Sequence, residues 1–311
     1  MESSNPKNDN NTEENNKPND HQTKHSELLS HKDKEILKTW EKEQENLVQK
    51  LILKDDHDWV FDEENKGNEN NLKYIGGCDI SFSTKYKDLA VSALIVVNLD
   101  MEIVYEKYKI VKMTEPYIPG FLAFREAKHI IDLLNLMQKE KPEFYPQVLL
   151  CDSNGILHPK KFGLACHLGV LTGISTIGCS KNMYAVDGIT QKGVKEMISK
   201  KKPNILEPVP LTGNSGFLYG YLLLSTKECS KPIIVSPGHK ISYETCIKIV
   251  KFCIKFRVPE PIRMADKCSR QLINYLNNLS LEEIDNFDLE QFILMNKNEL
   301  HNMNCNNFKV K

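Results

Sequence analysis

Hydrophobic and polar positions follow two periodicities along this chain, one typical of helices and one typical of strands, and their alternation predicts an α/β fold. Residues 33–53 place Ile36, Trp40, Leu47 and Leu51 on one face at helical spacing. Three runs rich in apolar and β-branched residues then predict a meander of antiparallel strands, at residues 74–83, 90–98 and 103–111.

Helices and strands alternate after the meander. A proline-rich turn leads into a helix that runs to about Glu140, and residues 148–152 form a short buried strand that ends in a tight turn. Another short apolar strand precedes Lys181, and prolines at 259 and 261 open a last helix. This order predicts a central mixed β-sheet, with an antiparallel meander plus parallel strands, flanked by helices.

The two ends of the chain differ from this body. Seven of the first twenty residues are Asn, so we expect residues 1–31 to be a disordered tail and residues 32–278 to form the folded domain. Residues 279–311 form an acidic helical appendage that either packs on the body or binds a partner. Its apolar positions are Leu281, Ile284, Phe287, Phe292 and Ile293.

Composition narrows the class of protein. The 311 residues are 40% hydrophobic, yet no apolar run approaches the ~20 residues of a membrane span and no secretory segment is expected. Nine cysteines without a Cys-x-x-Cys pair favour reduced thiols over a disulfide framework or a zinc site. We therefore expect a protein of the cytoplasm, the nucleus or both.

A net charge of −1 gives no global attraction to nucleic acid, so any affinity must come from local basic surfaces. The candidate basic patches are Lys248, Lys251 and Lys255; Arg257, Arg263 and Arg270; and Lys160 with Lys161. Each patch is also explained as a solvated helix face. The lysines at 200–202 are either a weak nuclear signal or a surface run.

Four acidic residues each occupy a different predicted element. Asp79 lies inside the first strand, Glu126 near the start of the helix after the proline-rich turn, Asp152 at a strand end and Asp266 on the last helix. Taken singly, each is also explained as a solvated or capping residue. Together, in this order, they match the ribonuclease H-like fold, which gathers acids around two divalent ions. Two ions roughly 3.5–4 Å apart activate the attacking water and stabilise the leaving oxygen of a phosphoryl displacement.

Longer motifs around these acids resemble the eukaryotic form of the endonuclease V family, the inosine-directed nucleases. The resemblance covers about residues 51–270. The matching segments are residues 77–82, 116–126, 152–159, 162–170, 236–242 and 256–266.

The resemblance implies roles for the acids and for one turn. Asp79 and Asp152 would hold the metal ions, and Glu126 and Asp266 would complete the ligand set. Tyr117, between Pro116 and Ile118 in the Pro-Tyr-Ile-Pro turn, resembles the wedge that enters the base stack where the recognised base is extruded. Without the resemblance, Tyr117 is equally well explained as a surface aromatic residue.

The resemblance also implies a base pocket and a catalytic cation. Leu122 and the Asn154-Gly155 turn would form the pocket, since glycine permits close approach of the backbone to a ligand. His158 would steer a nearby phosphate or carboxylate, with a satisfied loop histidine as the alternative. Lys181 would place its ammonium at the reaction centre.

Two short segments depart from the pattern of the relatives. Cys179 and Ser180 stand before the lysine where relatives carry a small apolar pair, and Asn214 replaces the more usual Asp of a Gly-Asp-Ser-Gly turn. The first leaves the packing around Lys181 open, and we interpret the second as neutral.

The function implied is that of a Mg²⁺-dependent endonuclease, with Mn²⁺ as a plausible substitute. It would bind inosine in single-stranded RNA or DNA as a monomer and cut the second phosphodiester bond on the 3′ side, leaving a 3′-hydroxyl and a 5′-phosphate. Three alternatives remain open: a repair enzyme for deaminated adenine in DNA, a noncatalytic reader of inosine RNA, and a general ribonuclease H-like hybrid nuclease.

Overall fold

The computed structural model describes residues 30–62, 71–183, 185–227 and 229–301. Eight strands form one sheet in the spatial order β3-β2-β1-β4-β5-β8-β7-β6. The strands are β1 (Ile75–Phe82), β2 (Leu89–Val97), β3 (Ile103–Lys112), β4 (Val148–Cys151), β5 (Ser175–Ser180), β6 (Val209–Thr212), β7 (Leu218–Leu223) and β8 (Ile233–His239).

The mixed sheet predicted from the sequence is confirmed. The first three strands pair antiparallel, whereas β4 runs parallel to both β1 and β5. The structure adds a second antiparallel group, β8, β7 and β6, on the far side of β5. The short parallel strands therefore lie at the centre of the sheet.

Helices cover both faces of the sheet. They are α1 (His31–Val48), α2 (Leu122–Glu140), α3 (Leu164–Thr172), α4 (Gln191–Lys201), α5 (Tyr243–Cys253), α6 (Glu260–Leu276), α7 (Leu281–Asp285) and α8 (Leu289–His301). Neighbouring residues of β2 point to opposite cores: Leu94 packs with α2 and α3, and Ala93 packs with α5 and α6. Burial on both faces explains why β2 reads as a continuous apolar run.

The predicted end of the first helix is wrong. We expected a helix over residues 33–53, but α1 ends at Val48. The chain then runs beside the end of β8, where Ile52 donates its N–H to His239 Nδ1 over 3.3 Å and accepts one from Lys240 over 2.8 Å. These tertiary hydrogen bonds outweigh the helical periodicity, and Leu51 packs on the body from an extended segment.

The C-terminal segment packs on the body. Leu300 is fully buried in the core beside α6, and Tyr275 of α6 stacks with Phe287 and Phe292. Residues 1–29 and 302–311, which include most of the predicted tail and the end of the appendage, lie outside the described residues. Ser30 caps α1 by accepting the Asp33 N–H.

The remaining features agree with the composition. Within the described ranges, no helix has the length and apolar character required to span a bilayer. The cysteines of these ranges are free thiols, and most of them are buried in strands and helices.

Candidate active site

The sheet and α6 bring the four acids together. Cys78 of β1 pairs in register with Cys151 of β4, so Asp79 and Asp152, which follow them, lie side by side at the same end of the sheet. A Cβ on Gly77 would stand 2.2 Å from the backbone carbon of Pro261. Glycine at this position therefore allows the start of α6 to approach β1 and places Asp266 over the strand ends.

We call the four carboxylates the acid cluster, and their surroundings raise the pKa of Asp79, Glu126 and Asp152. Burial, followed by the charges of Asp266 and Asp152, raises the pKa of Asp79 to about 6. Burial, followed by the charge of Asp79, raises the pKa of Glu126 to about 8. The pKa of Asp152 is raised as well, first by burial and then by the charge of Asp266. Like charges this close disfavour ionisation unless a cation compensates them.

Lys181 supplies one such cation. Its Nζ lies 2.7 Å from Asp152 Oδ2 and 3.4 Å from Asp266 Oδ2. Although burial opposes its charge, Asp152 and Asp266 raise the pKa of Lys181. Arg270 forms an ion pair with the other oxygen of Asp266. The predicted position of Lys181 at the acids is therefore found in the structure.

The donor set fits a hard divalent cation in its chemistry. Carboxylate oxygens are the ligands that Mg²⁺ prefers. Burial, followed by the charges of neighbouring acids, raises the pKa of both Asp79 and Glu126. In the ranges described, no three His, Cys, Asp or Glu side chains are already arranged as a metal site.

A cavity of about 500 Å³ opens beside the acid cluster. Asp152 and Lys181 form part of its wall, and three of the predicted pocket residues, Leu122, Asn154 and His158, line it as well. The Asn154 side chain is held in place because its Oδ1 accepts a hydrogen bond from Ser180 Oγ over 2.6 Å. A volume of this size is typical of small-molecule sites.

Gly155 and His158 are both buried, and each makes contacts within the protein that account for its position. Gly155 is buried behind the cavity wall, where its N–H donates to Ser236 Oγ over 2.8 Å and a Cβ would stand 2.1 Å from the Pro237 carbonyl oxygen. Burial lowers the pKa of His158 to about 4, so the ring is neutral at pH 7. Its Nδ1 accepts the Lys160 N–H over 3.2 Å.

The Pro-Tyr-Ile-Pro turn presents one aromatic side chain to solvent. Tyr117 is 57% exposed, whereas its neighbour Ile118 is buried against Trp40 and Phe121. The Trp40 ring also stacks on Phe124 with 5.1 Å between the ring centroids. Helix α1 therefore anchors the turn and leaves Tyr117 free to contact a ligand.

Sequence reasoning missed two serines at the acid cluster. Ser269 Oγ donates to Asp79 Oδ2 over 2.8 Å, and Ser81 Oγ lies 2.8 Å from Ser269 Oγ. The available signal was spacing, because Ser269 follows Asp266 by three residues on one helix and Ser81 follows Asp79 by two on one strand. Both serines therefore point to the same end of the sheet as the acids.

Several residues of the predicted basic patches are engaged in contacts within the protein. Arg263 makes two hydrogen bonds to Glu260, of 2.7 and 2.6 Å, and Lys248 pairs with Glu244 at 2.9 Å. Lys161 lies over the Phe217 ring, 3.7 Å from its centroid. Arg270, from one of these predicted patches, is paired with Asp266 of the acid cluster.

Comparison with known proteins is consistent with this geometry. A family model described as Endonuclease V matches residues 57–267. Human endonuclease V is 37% identical over 244 residues, which cover 77% of this chain and 84% of that protein, and the mouse protein is 38% identical over 77% of this chain and 70% of its own length.

Solved structures give the same result. The catalytic domain of human endonuclease V superposes with a TM-score of 0.74 at 35% identity, covering 79% of this chain and 99% of that one. An endonuclease V of Ciona intestinalis, in complex with a 23mer DNA containing an inosine followed by a ribo-adenosine, has a TM-score of 0.71 at 35% identity, covering 80% and 100%.

Proposed function

This chain belongs to the endonuclease V family and is an endonuclease, and we propose that it is metal-dependent and cuts single-stranded nucleic acid beside inosine. It hydrolyses the second phosphodiester bond 3′ to the inosine and leaves a 3′-hydroxyl and a 5′-phosphate. The observation that carries this proposal is that Asp152 of the acid cluster and Lys181, which pairs with it, both line the cavity. When the base is held in the cavity, the strand that carries it passes the acids.

Recognition of the base rests on the cavity. An extruded base is read through its Watson–Crick edge and through the shape of its pocket. Asn154 is held by Ser180, and Leu122 supplies an apolar wall. Tyr117, exposed at the turn that Ile118 anchors, stacks in the gap that the base leaves. Such stacking contributes roughly 1–3 kcal/mol per base.

Asp79, Glu126, Asp152 and Asp266 are the residues that would hold divalent ions. When bound, such ions activate water and stabilise the leaving oxygen of an in-line displacement. Ser269 and Ser81 keep the Asp79 carboxylate oriented through hydrogen bonds. Lys181 holds a fixed positive charge at Asp152, where it stabilises negative charge on the phosphate.

RNA is the substrate that we favour. The Ciona intestinalis relatives were solved with DNA in which a ribo-adenosine follows the inosine, which supports a contact to a ribose at that position. The 2′-hydroxyl is the group by which a protein distinguishes RNA from DNA at one site. Mg²⁺ is the ion that we favour, with Mn²⁺ as a substitute.

Cleavage of four matched oligonucleotides tests the proposal. Single-stranded RNA and DNA, each with inosine or adenosine at one position, are incubated with Mg²⁺ or with EDTA. We expect cutting only beside inosine, only with Mg²⁺, and faster in RNA. Binding to inosine without cutting would instead indicate a reader, and cutting regardless of the base would overturn the role of the cavity.

A further inference from the structure

A second cleft, of about 1180 Å³, has Tyr117 in its lining. We call it the flank cleft. It is lined by the start of α1 with Lys32, by the turn between β1 and β2 with Lys85 and Lys87, and by α7 with Leu281. Lys32 and Leu281 lie outside the residues that match the family model, so this chain builds the cleft partly from segments beyond that match.

Charge distinguishes the flank cleft from the acid cluster. Five cationic side chains line it against three acidic ones, which leaves an excess of positive charge. The cations are Lys32, Lys85, Lys87, Lys112 and Arg125, and the acids are Asp33, Asp88 and Glu115.

Several of these cations are available to a ligand. Lys32 and Lys87 are exposed, and neither forms an ion pair within the described part of the chain. The Arg125 Nε is buried and has no hydrogen-bond partner there, while its guanidinium lies 5.3 Å from the centroid of the Phe82 ring. Lys112, by contrast, is paired with Asp285 at 3.0 Å.

Two residues connect the flank cleft with the proposed site. Tyr117 lines it, and Arg125 lines it from the position next to Glu126, whose ionisation Arg125 favours. Tyr86 adds a second aromatic ring, held in place because its hydroxyl donates to the Leu279 carbonyl over 2.6 Å. A basic groove with aromatic side chains along it is the surface that binds single strands without reading sequence.

We propose that the flank cleft binds the single-stranded segment of the substrate adjoining the inosine beyond Tyr117, through its backbone phosphates. This proposal rests on the proposed function, since it extends the path of the same substrate. Lys32 and Lys87 contact phosphates, and Tyr86 offers a ring for stacking. The contacts are independent of the base sequence of that segment.

Binding of short and extended oligonucleotides tests the cleft. The short RNA carries one inosine, and two extended forms add about ten nucleotides on the 5′ or on the 3′ side. Binding is measured by fluorescence anisotropy in EDTA, so that nothing is cut. We expect one of the two extensions to tighten binding by roughly tenfold, and the variant carrying Lys32→Ala and Lys87→Ala to lose that gain.

Salt dependence provides a second readout. The slope of log binding constant against log salt concentration should become shallower by about 0.7 for each phosphate contact that the double variant loses. The matched control carries Lys192→Ala and Lys195→Ala, which remove the same charge from the exposed face of α4. We expect the control to keep both the extension gain and the slope of the wild-type protein.

The outcomes separate the two proposals. If neither extension tightens binding, or if the double variant keeps the gain, or if the control loses it equally, the flank cleft is not a substrate site. Inosine cleavage by the wild-type protein would still support the proposed function in those cases. A different outcome is a protein that cuts no inosine substrate but whose binding is still tightened by an extension through Lys32 and Lys87. That result would overturn the proposed function and would still support the flank cleft as a binding site for single strands.

Discussion

Two glutamates with little exposure to solvent have opposite electrostatic environments in this molecule. The Glu106 side chain is 10% exposed, and Glu126 is 7% exposed. Glu106 accepts hydrogen bonds from Tyr108 and from His301, each over 2.7 Å, and pairs with Lys297 at 3.2 Å. Although burial opposes ionisation, these partners lower the pKa of Glu106 to about 2.

Glu126 has no comparable partner. Its side chain makes no hydrogen bond or ion pair to another residue of the described ranges. Burial, followed by the charge of Asp79, raises its pKa to about 8, although the charge of Arg125 lowers it. Removing one partner of a buried ion pair is strongly destabilising, and a buried charge without a partner is costly unless a ligand supplies the opposite charge. The comparison therefore separates a structural acid on β3 from a ligand-binding acid on α2.

The largest expected effect separates the two groups by activity. Asp79→Ala and Asp152→Ala should each lower the single-turnover rate of inosine cleavage by about 1000-fold or more, because both remove charge from the reaction centre. Glu106→Gln should keep the wild-type rate. Unchanged turnover in either aspartate variant would contradict the assignment of the acid cluster, and binding of inosine RNA in EDTA serves as the control for folding.

Mg²⁺ should raise the thermal stability of the wild-type protein. An ion bound only by the folded state, at 100 times its dissociation constant, stabilises by about 2.7 kcal/mol. Differential scanning fluorimetry with increasing Mg²⁺ should show this rise in Glu106→Gln as well, but only weakly in a protein carrying Asp79→Asn and Asp152→Asn. An equal rise in the double variant would place the ion elsewhere.

Neutral substitutions should have opposite effects on the metal-free protein. Glu106→Gln should lower the free energy of unfolding by about 1–3 kcal/mol, since it weakens the contacts to His301 and Lys297 that hold α8 on the sheet. Glu126→Gln should raise it at pH 8, because it removes an uncompensated charge. Urea unfolding in EDTA measures both, and destabilisation by Glu126→Gln would mean that this acid has a compensating partner in the fold.

The two acids should also give stability in different pH windows. The folded pKa of Glu126 is raised from 4.5 to about 8, so its contribution is present below pH 4.5 and lost as the pH rises toward 8. The folded pKa of Glu106 is lowered from 4.5 to about 2, so its contribution is present above pH 4.5 and lost as the pH falls toward 2. Unfolding of the metal-free protein across this range should lose the first dependence in Glu126→Gln and the second in Glu106→Gln.

Local sequence patterns predicted the meander and the end of α2. The three strands of the meander lie within one residue of their predicted ends, and α2 ends at Glu140 as predicted. Strands β6 to β8 were not predicted, since β6 has only four residues and β8 contains Pro237 and Gly238. Such strands form because a neighbouring strand supplies their hydrogen bonds.

The candidate site divides in the same way. The sequence predicted the identities and order of the four acids because each lies in a recognisable motif; they are Asp79, Glu126, Asp152 and Asp266. The flank cleft could not be predicted in this way, since Lys32 and Lys87 come from segments that meet only after folding. Ser269 was missed because a serine on a helix has no distinctive pattern of its own.

The sequence by itself determined the meander, the end of α2 and which acids could bind a cation, because these depend on residues close together in the chain. Only the tertiary structure decided which of the two glutamates is neutralised. The partner of Glu106 is His301, 195 residues away, and no local pattern predicts that contact. Glu126 is surrounded instead by other acids, since β1, β4 and α6 converge on one end of the sheet. The energy of a buried charge depends on its neighbours in space, and those neighbours are set by the fold.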